Sequence, residues 1–89
     1  MSEVGSPKVY LLRCADGSLY CGWTLDLRRR LNQHGSGRGA RYTRARLPVE
    51  LVYEESCADV PAALRREAEI KRKTRQEKLS LIVEARHAR

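Results

Sequence analysis

Residues 8–34, KVYLLRCADGSLYCGWTLDLRRRLNQH, govern how the rest of the chain can fold. Residues 8–13 and 18–24 are rich in Val, Leu, Tyr and Trp and flank ADGS, a hairpin signal. The pattern then changes. Thr24 or Asp26 can cap a helix whose inner stripe is Leu27 and Leu31, and the glycines at 35, 37 and 39 can end it. The stretch predicts a β-hairpin running straight into a basic helix, with Arg30 and His34 four residues apart on one side of that helix.

The hairpin turn controls which side chains share a face, because a one-residue slip in register exchanges the faces. A two-residue Asp16-Gly17 loop pairs Tyr10 with Trp23 and separates Tyr10 from Tyr20. A three-residue Ala15-Asp16-Gly17 loop, with Gly17 at the left-handed bulge position, pairs Leu12 with Tyr20 and Tyr10 with Gly22. One face then carries Val9, Leu11, Leu19, Cys21 and Trp23, all apolar. Tyr10, Tyr20 and the bare backbone of Gly22 share the other, where Gly22 allows close backbone approach. The second register sorts the residues cleanly and is the one expected.

Beyond the hairpin and its helix, residues 35–48 form a fourteen-residue loop, long enough in a compact domain to suggest a functional role. Residues 49–54, VELVYE, alternate as a strand with Val49, Leu51 and Tyr53 on one face. Asp59 can cap a second helix running to about residue 73, with Pro61 tolerated in its first turn. Thr74-Arg75-Gln76-Glu77 matches a capping box, so a third helix begins there, with Leu79, Ile82 and Val83 as its apolar side. The expected organisation is a leader at 1–7, a single domain at 8–83 and a fraying tail at 84–89.

Eighty-nine residues suffice for one core and not for two. With no Phe and one Trp, aliphatic residues and alanine must carry that core. No run approaches a membrane span, and residues 1–8 hold no apolar segment of the signal-peptide kind; a cytoplasmic protein with no membrane partner is expected, taken as a monomer. Cys14, Cys21 and Cys57 are odd in number and contain no CxxC pair, which argues against a disulfide framework and against a zinc site.

Charge is more informative. The formal net charge is +7 and the pI about 9.8. Residues 28–46 hold seven arginines (Arg28, Arg29, Arg30, Arg38, Arg41, Arg44 and Arg46) and no acid. Residues 65–78 hold a further seven cations, Lys71 among them, against three glutamates. Guanidinium binds phosphate oxygens bidentately, so an acid-free arginine run suits a phosphate-tracking surface better than a merely solubilising one. Arg28, Arg38, Arg41, Arg44, Arg46 and Lys71 are the candidate nucleic-acid contacts, with Tyr42 offering a ring among them.

Two glutamates of the second predicted helix compete as a site carboxylate. Glu69 has Arg65, Arg66, Arg72 and Lys73 at helical contact spacings, which is sufficient for a solvated ion-pair role. Glu67 lies four after Ala63, three after Leu64 and three before Ile70, on the inward stripe, where a carboxylate is costly unless paired or metal-bound.

These residues together resemble the GIY-YIG nuclease signature. Tyr10 is followed at a ten-residue interval by Tyr20-Cys21-Gly22, Arg30 comes ten residues after Tyr20, His34 four further on, and Glu67 in LRREAEIK matches the glutamate of the family's metal-binding helix. The resemblance spans about residues 8–82 and is greatest to the small stand-alone YhbQ-like branch. Lys8-Val9 replaces Gly-Ile in the first triplet, Cys21 replaces Ile in the second, and Trp23 stands where some members carry Lys. An asparagine that some members carry after the glutamate has no clear counterpart.

The resemblance implies an α+β fold, a three-stranded antiparallel sheet flanked by helices in β-β-α-β-α-α order. It also implies phosphodiester hydrolysis in DNA, or RNA as the less favoured substrate, with one Mg²⁺ (or Mn²⁺) held by Glu67. The catalytic set carried over is Tyr10, Tyr20, Arg30, His34 and Glu67. Arg30 can bind the scissile phosphate, and Glu67 is a hard oxygen ligand suited to Mg²⁺. A tyrosine, with a reference pKa of about 10, needs nearby cations to act as a base, and Arg30 and the metal could serve either Tyr10 or Tyr20. The sequence leaves open which one acts. The competing class is a nucleic-acid-binding module that keeps the nuclease fold and cleaves little or not at all.

Overall fold

The computed structural model describes residues 5–87. Strands β1 (Lys8–Cys14) and β2 (Leu19–Thr24) form the hairpin, and α1 (Leu27–Gly35) follows directly. A single helical turn, α2 (Arg41–Arg44), precedes β3 (Val49–Ser56), and α3 (Val60–Lys71) and α4 (Arg75–His87) complete the chain. The three strands form one antiparallel sheet in the order β2-β1-β3.

The hairpin adopts the three-residue register, with Tyr10 opposite Gly22 and Leu12 opposite Tyr20. Gly17 takes a φ of 85°, and its amide donates to the Cys14 carbonyl at 2.9 Å, while the Cys14 amide donates to the Ser18 carbonyl at 2.9 Å. That is a turn closed by a left-handed residue, which glycine occupies without a Cβ penalty. The Asp16 carboxylate accepts from the Ser18 amide at 3.0 Å and stiffens the turn.

As the central strand, β1 is covered on both faces, and Val9, Tyr10, Leu11 and Leu12 have no accessible surface. Val9, Leu11 and Cys21 pack against Ala63 and Ile70 of α3 and Ile82 of α4, which sets the main core on one side of the sheet. The opposite face presents Tyr10 and Tyr20 to α1. Against β3 the register shifts between Leu11 and Leu12, which pair with Tyr53 and Leu51, and the bulge lets both Val52 and Tyr53 reach the core.

Side-chain caps mark the helix starts. Asp26 accepts from the Arg29 amide at 3.1 Å and Asp59 from the Ala62 amide at 2.8 Å. Thr74 and Glu77 exchange both bonds of the capping box, at 2.8 and 3.2 Å.

Several expectations are corrected. The loop at 35–48 contains a helical turn, built because Thr43 and Arg44 both bond back to the Ala40 carbonyl. Pro7 belongs to the domain, since it is buried and its carbonyl accepts from the Cys57 amide at 2.8 Å; residues 1–4 of the predicted leader lie outside the described residues. Residues 84–87 continue α4, and 88–89 lie outside the described residues. Of the predicted apolar side of α4 only Ile82 is buried. Leu81 joins it against the core, while Leu79 and Val83 are exposed, because α4 docks through a stripe one step round from the predicted one. Leu64 of α3 is likewise exposed. Among the described residues no helix is long and apolar enough to cross a membrane.

Candidate active site

At the centre of the face opposite the main core, the Tyr10 hydroxyl meets Nε2 of His34 at 2.9 Å. His34 is the third member of the α1 inner stripe, after Leu27 and Leu31, and only 1 % of it is exposed. Its Nδ1 meets Oγ1 of Thr43 at 2.8 Å, and the Thr43 hydroxyl donates to the Ala40 carbonyl at 3.0 Å. Strand, helix and loop are thus tied by one continuous chain of polar contacts, buried at Tyr10, His34 and Thr43 and part-buried at Ala40.

Room for this chain comes from missing side chains. The Tyr10 ring lies over Gly22, where a Cβ would stand 2.6 Å from the Tyr10 oxygen. The close approach expected at Gly22 is therefore made by Tyr10 itself.

Tyr20 borders this buried centre and is half-buried. Its ring packs edge-on against His34, with centroids 5.5 Å apart, and stacks on Tyr42 at 6.0 Å with 24° between planes. Arg46 also lies over the Tyr42 ring, its guanidinium carbon 3.8 Å from the ring centroid. The same guanidinium bonds the Asp16 carboxylate at 3.0 Å and the Tyr42 carbonyl at 2.9 Å. Arg46 therefore fastens the loop to the hairpin turn, whereas the sequence assigned it to nucleic acid.

The charge of Arg30 acts on both the Tyr10 phenol and the His34 ring. Burial pushes the Tyr10 pKa up to about 12, with Arg30 opposing it incompletely. Burial, aided by Arg30, holds His34 below the usual imidazole range. Arg30 also lines an open hollow of about 490 Å³ with Trp23, Asp26, Arg29 and Gln33, at the junction of β2 and α1.

Glu67 occupies the α3 side of the sheet. Its carbonyl lies 4.0 Å from the Cys21 sulfur on edge strand β2, its side chain is 18 % exposed, and Lys71 approaches its carboxylate at 3.6 Å. The inward position of Glu67 is thus as expected, with Glu69 exposed. Tyr10, Tyr20 and His34 gather on one face with the charge of Arg30 acting on them, whereas Glu67 lies with Cys21 on the α3 side of the sheet. Burial together with the Glu67 charge raises the Cys21 thiol to about 11, keeping it protonated and inert.

Among the other predicted contacts, Arg28, Arg38, Arg41, Arg44 and Tyr42 are exposed, and among the described residues none of these four arginines is in an ion pair. Lys71 is engaged by Glu67. Sequence reasoning missed Thr43 and Gly39. A Cβ at Gly39 would overlap the His34 ring, so the loop passes against the imidazole there. The only signal was indirect: a glycine-rich loop following a helix with histidine in its last turn.

A family model described as the GIY-YIG catalytic domain matches residues 7–80. Similar proteins include a UPF0213 protein of Streptococcus agalactiae serotype V, 55 % identical over 74 residues that cover 83 % of this chain and 84 % of that protein. Another from Staphylococcus epidermidis is 51 % identical over 76 residues, 85 % of this chain and 93 % of that protein. Among solved structures, the solution NMR structure of a UPF0213 protein from Bacillus halodurans matches with a TM-score of 0.58 at 42 % identity, covering 89 % of this chain and 84 % of that one. A solution NMR structure of a protein from E. faecalis matches with a TM-score of 0.66 at 36 % identity, covering 100 % and 94 %.

Proposed function

The chain belongs to the GIY-YIG family and, within it, to the small stand-alone UPF0213 proteins, and from that premise we propose that it hydrolyses phosphodiester bonds in nucleic acid, DNA in preference to RNA. The observation that carries this reading is the grouping of Tyr20 and Arg30 around the buried Tyr10–His34 pair, beside an exposed, acid-free arginine surface.

The residues divide by accessibility. Tyr10 has no accessible surface, is buried against His34 and keeps its proton, so it supports the site and does not touch substrate. Tyr20 is the tyrosine that meets substrate and orients or deprotonates the attacking water. Arg30 binds the scissile phosphate and offsets the charge that develops on its oxygens. His34, buried under Tyr20, holds the phenol ring in place.

Glu67 is the residue that would hold a divalent cation, Mg²⁺ or Mn²⁺. The donor set fits. A lone carboxylate, steadied by a lysine whose side chain is 53 % exposed, can exchange that partner for an ion. With Glu67 as its one carboxylate ligand, such an ion would keep several waters and take further ligands from phosphate. When bound, such an ion neutralises phosphoryl charge and makes bound water more acidic.

The test is incubation of the purified protein with labelled single-stranded, duplex and branched DNA, and RNA, in Mg²⁺, Mn²⁺ or EDTA. Metal-dependent cleavage by the wild type that is lost in Tyr20→Phe and Arg30→Ala is expected. One observation favours a second reading, a module that binds without cutting: Lys71 already occupies the Glu67 carboxylate. Salt-sensitive binding with no cleavage of any substrate would support that second reading.

A further inference from the structure

We propose that Thr43 is a positioning residue that fixes the tautomer of His34 and, through it, makes the Tyr10 hydroxyl the donor in the Tyr10–His34 bond. The inference builds on the proposed function only in its last step; the proton arrangement stands on geometry alone.

Proton counting in the buried chain leads to it. The Ala40 carbonyl can only accept, so its 3.0 Å contact with Thr43 uses the single hydroxyl proton of Thr43. The Thr43 oxygen must then accept at its 2.8 Å contact with His34, which places a proton on Nδ1. Neutral imidazole carries one such proton, so Nε2 is an acceptor, and the 2.9 Å contact there is a bond donated by the Tyr10 hydroxyl. This arrangement makes all three bonds. The reverse one, with the proton on Nε2, turns the Thr43 hydroxyl toward Nδ1 and gives up the bond to Ala40, leaving two. The Ala40 carbonyl keeps the Arg44 amide at 3.0 Å, but the Tyr10 hydroxyl proton loses its acceptor, and Tyr10 has no accessible surface at which water could supply one.

The groups facing His34 agree with a neutral ring. Tyr10 from β1, Tyr20 from β2, Thr43 from α2 and Arg30 from α1 surround it, and no carboxylate is among these contacts. The consequence reaches the Tyr10 oxygen: with its proton given to His34, Tyr10 keeps its lone pairs free of the imidazole, and the positive charge of Arg30 favours that arrangement. Thr43 sits in the arginine-rich loop, so the element offered to nucleic acid also sets the proton order beneath the site.

The experiment is ¹⁵N NMR of the His34 imidazole in wild type, Thr43→Val and Thr43→Ser, assigned against His34→Gln, at a pH where the ring is neutral. Wild type and Thr43→Ser are expected to show Nδ1–H alone. Thr43→Val, which keeps the shape and removes the acceptor, is expected to weaken that preference by about fivefold or more, the worth of one buried hydrogen bond, so that the Nε2–H form appears. Nε2–H in the wild type, or an unchanged Nδ1–H signal in folded Thr43→Val, would overturn the proposal. If the protein cleaves nucleic acid, kcat should fall in Thr43→Val and recover in Thr43→Ser. A protein that never cleaves removes the nuclease reading while leaving the tautomer result intact.

Discussion

The backbone of Gly39 passes so close to the His34 imidazole that any side chain at position 39 would overlap the ring. The loop leaving α1 therefore folds back on His34, in the last turn of that helix, and helps to bury it. Gly22, the strand partner of Tyr10, likewise leaves room for the Tyr10 ring, since a Cβ there would stand 2.6 Å from the Tyr10 oxygen. The two glycines bracket the Tyr10–His34 pair, and each is needed for the space it leaves, more than for backbone freedom.

Gly39→Ala and Gly22→Ala should each destabilise the protein by about 1–3 kcal/mol, the usual cost of forcing atoms into a packed centre. Gly35→Ala, where a Cβ would meet nothing within 4 Å, serves as the control and should be nearly neutral. Urea unfolding midpoints compare the three. Equal midpoints for Gly39→Ala and Gly35→Ala would remove the packing argument.

How much of this was legible beforehand depended on whether a signal was local. The hairpin register followed from alternation and from Gly17, because only one turn length puts the apolar residues on one face. Glu67 was separable from Glu69 by its helical neighbours. The stripe of α4 was misjudged because Leu79, Leu81, Ile82 and Val83 offer two overlapping faces, and the sheet it docks on chooses between them. Thr43 was invisible for a stronger reason. Its role rests on a contact with His34 across a loop, and nothing in a Tyr-Thr-Arg triplet announces a partner nine residues earlier. Arg46 looked like its neighbours and was distinguished only by Asp16, thirty positions away.

Tyr10→Phe removes the hydroxyl that satisfies Nε2 of His34, and should cost about 1–3 kcal/mol for the polar atom left buried without a partner. It should also change stability at high pH. With a folded pKa of about 12 against about 10 unfolded, Tyr10 contributes stability that is intact below about pH 10 and is lost as pH rises toward 12. The wild type should therefore lose more stability than Tyr10→Phe between those limits, followed by denaturation at several pH values. Parallel curves would mean that Tyr10 is not held protonated.

His34 works in the opposite direction. Its folded pKa is depressed by burial and by Arg30, so the unfolded chain takes up its proton first as pH falls below about 6.5. Stability attributable to a neutral His34 is present above that value and declines on acidification through the folded pKa. Thermal melts between pH 7 and pH 5 should show a steeper decline in the wild type than in His34→Gln. The reverse slope would place a carboxylate against the ring.

Binding should follow the free arginines. Arg38→Ala, Arg41→Ala and Arg44→Ala combined should flatten the salt dependence of duplex binding by about 0.9 in log–log slope for each phosphate that is no longer neutralised. Arg46→Ala should instead lower stability, by about 1 kcal/mol or less, because it ties the loop to Asp16 and Tyr42. A slope unchanged by the triple substitution would move the nucleic-acid surface to the cations of α3 and α4.

Glu67→Gln separates a nuclease from a binder, and Glu69→Gln is its matched control on the exposed side of the same helix. Glutamine keeps the size and polarity of glutamate but lacks the charge on which a hard divalent cation depends. Cleavage by Glu67→Gln should fall by about two orders of magnitude or more, since the ion's neutralisation of phosphoryl charge is worth several kcal/mol. Binding should hold or strengthen, for two reasons. A negative charge near the phosphate has gone, and Lys71, no longer drawn to position 67, is free to face the polyanion. Glu69→Gln should alter neither activity nor affinity. Cleavage equal to wild type in Glu67→Gln at equal purity would assign the activity to a contaminant. A loss of binding and of folding stability together would instead mean that the Glu67–Lys71 pair is there to hold α3 in place.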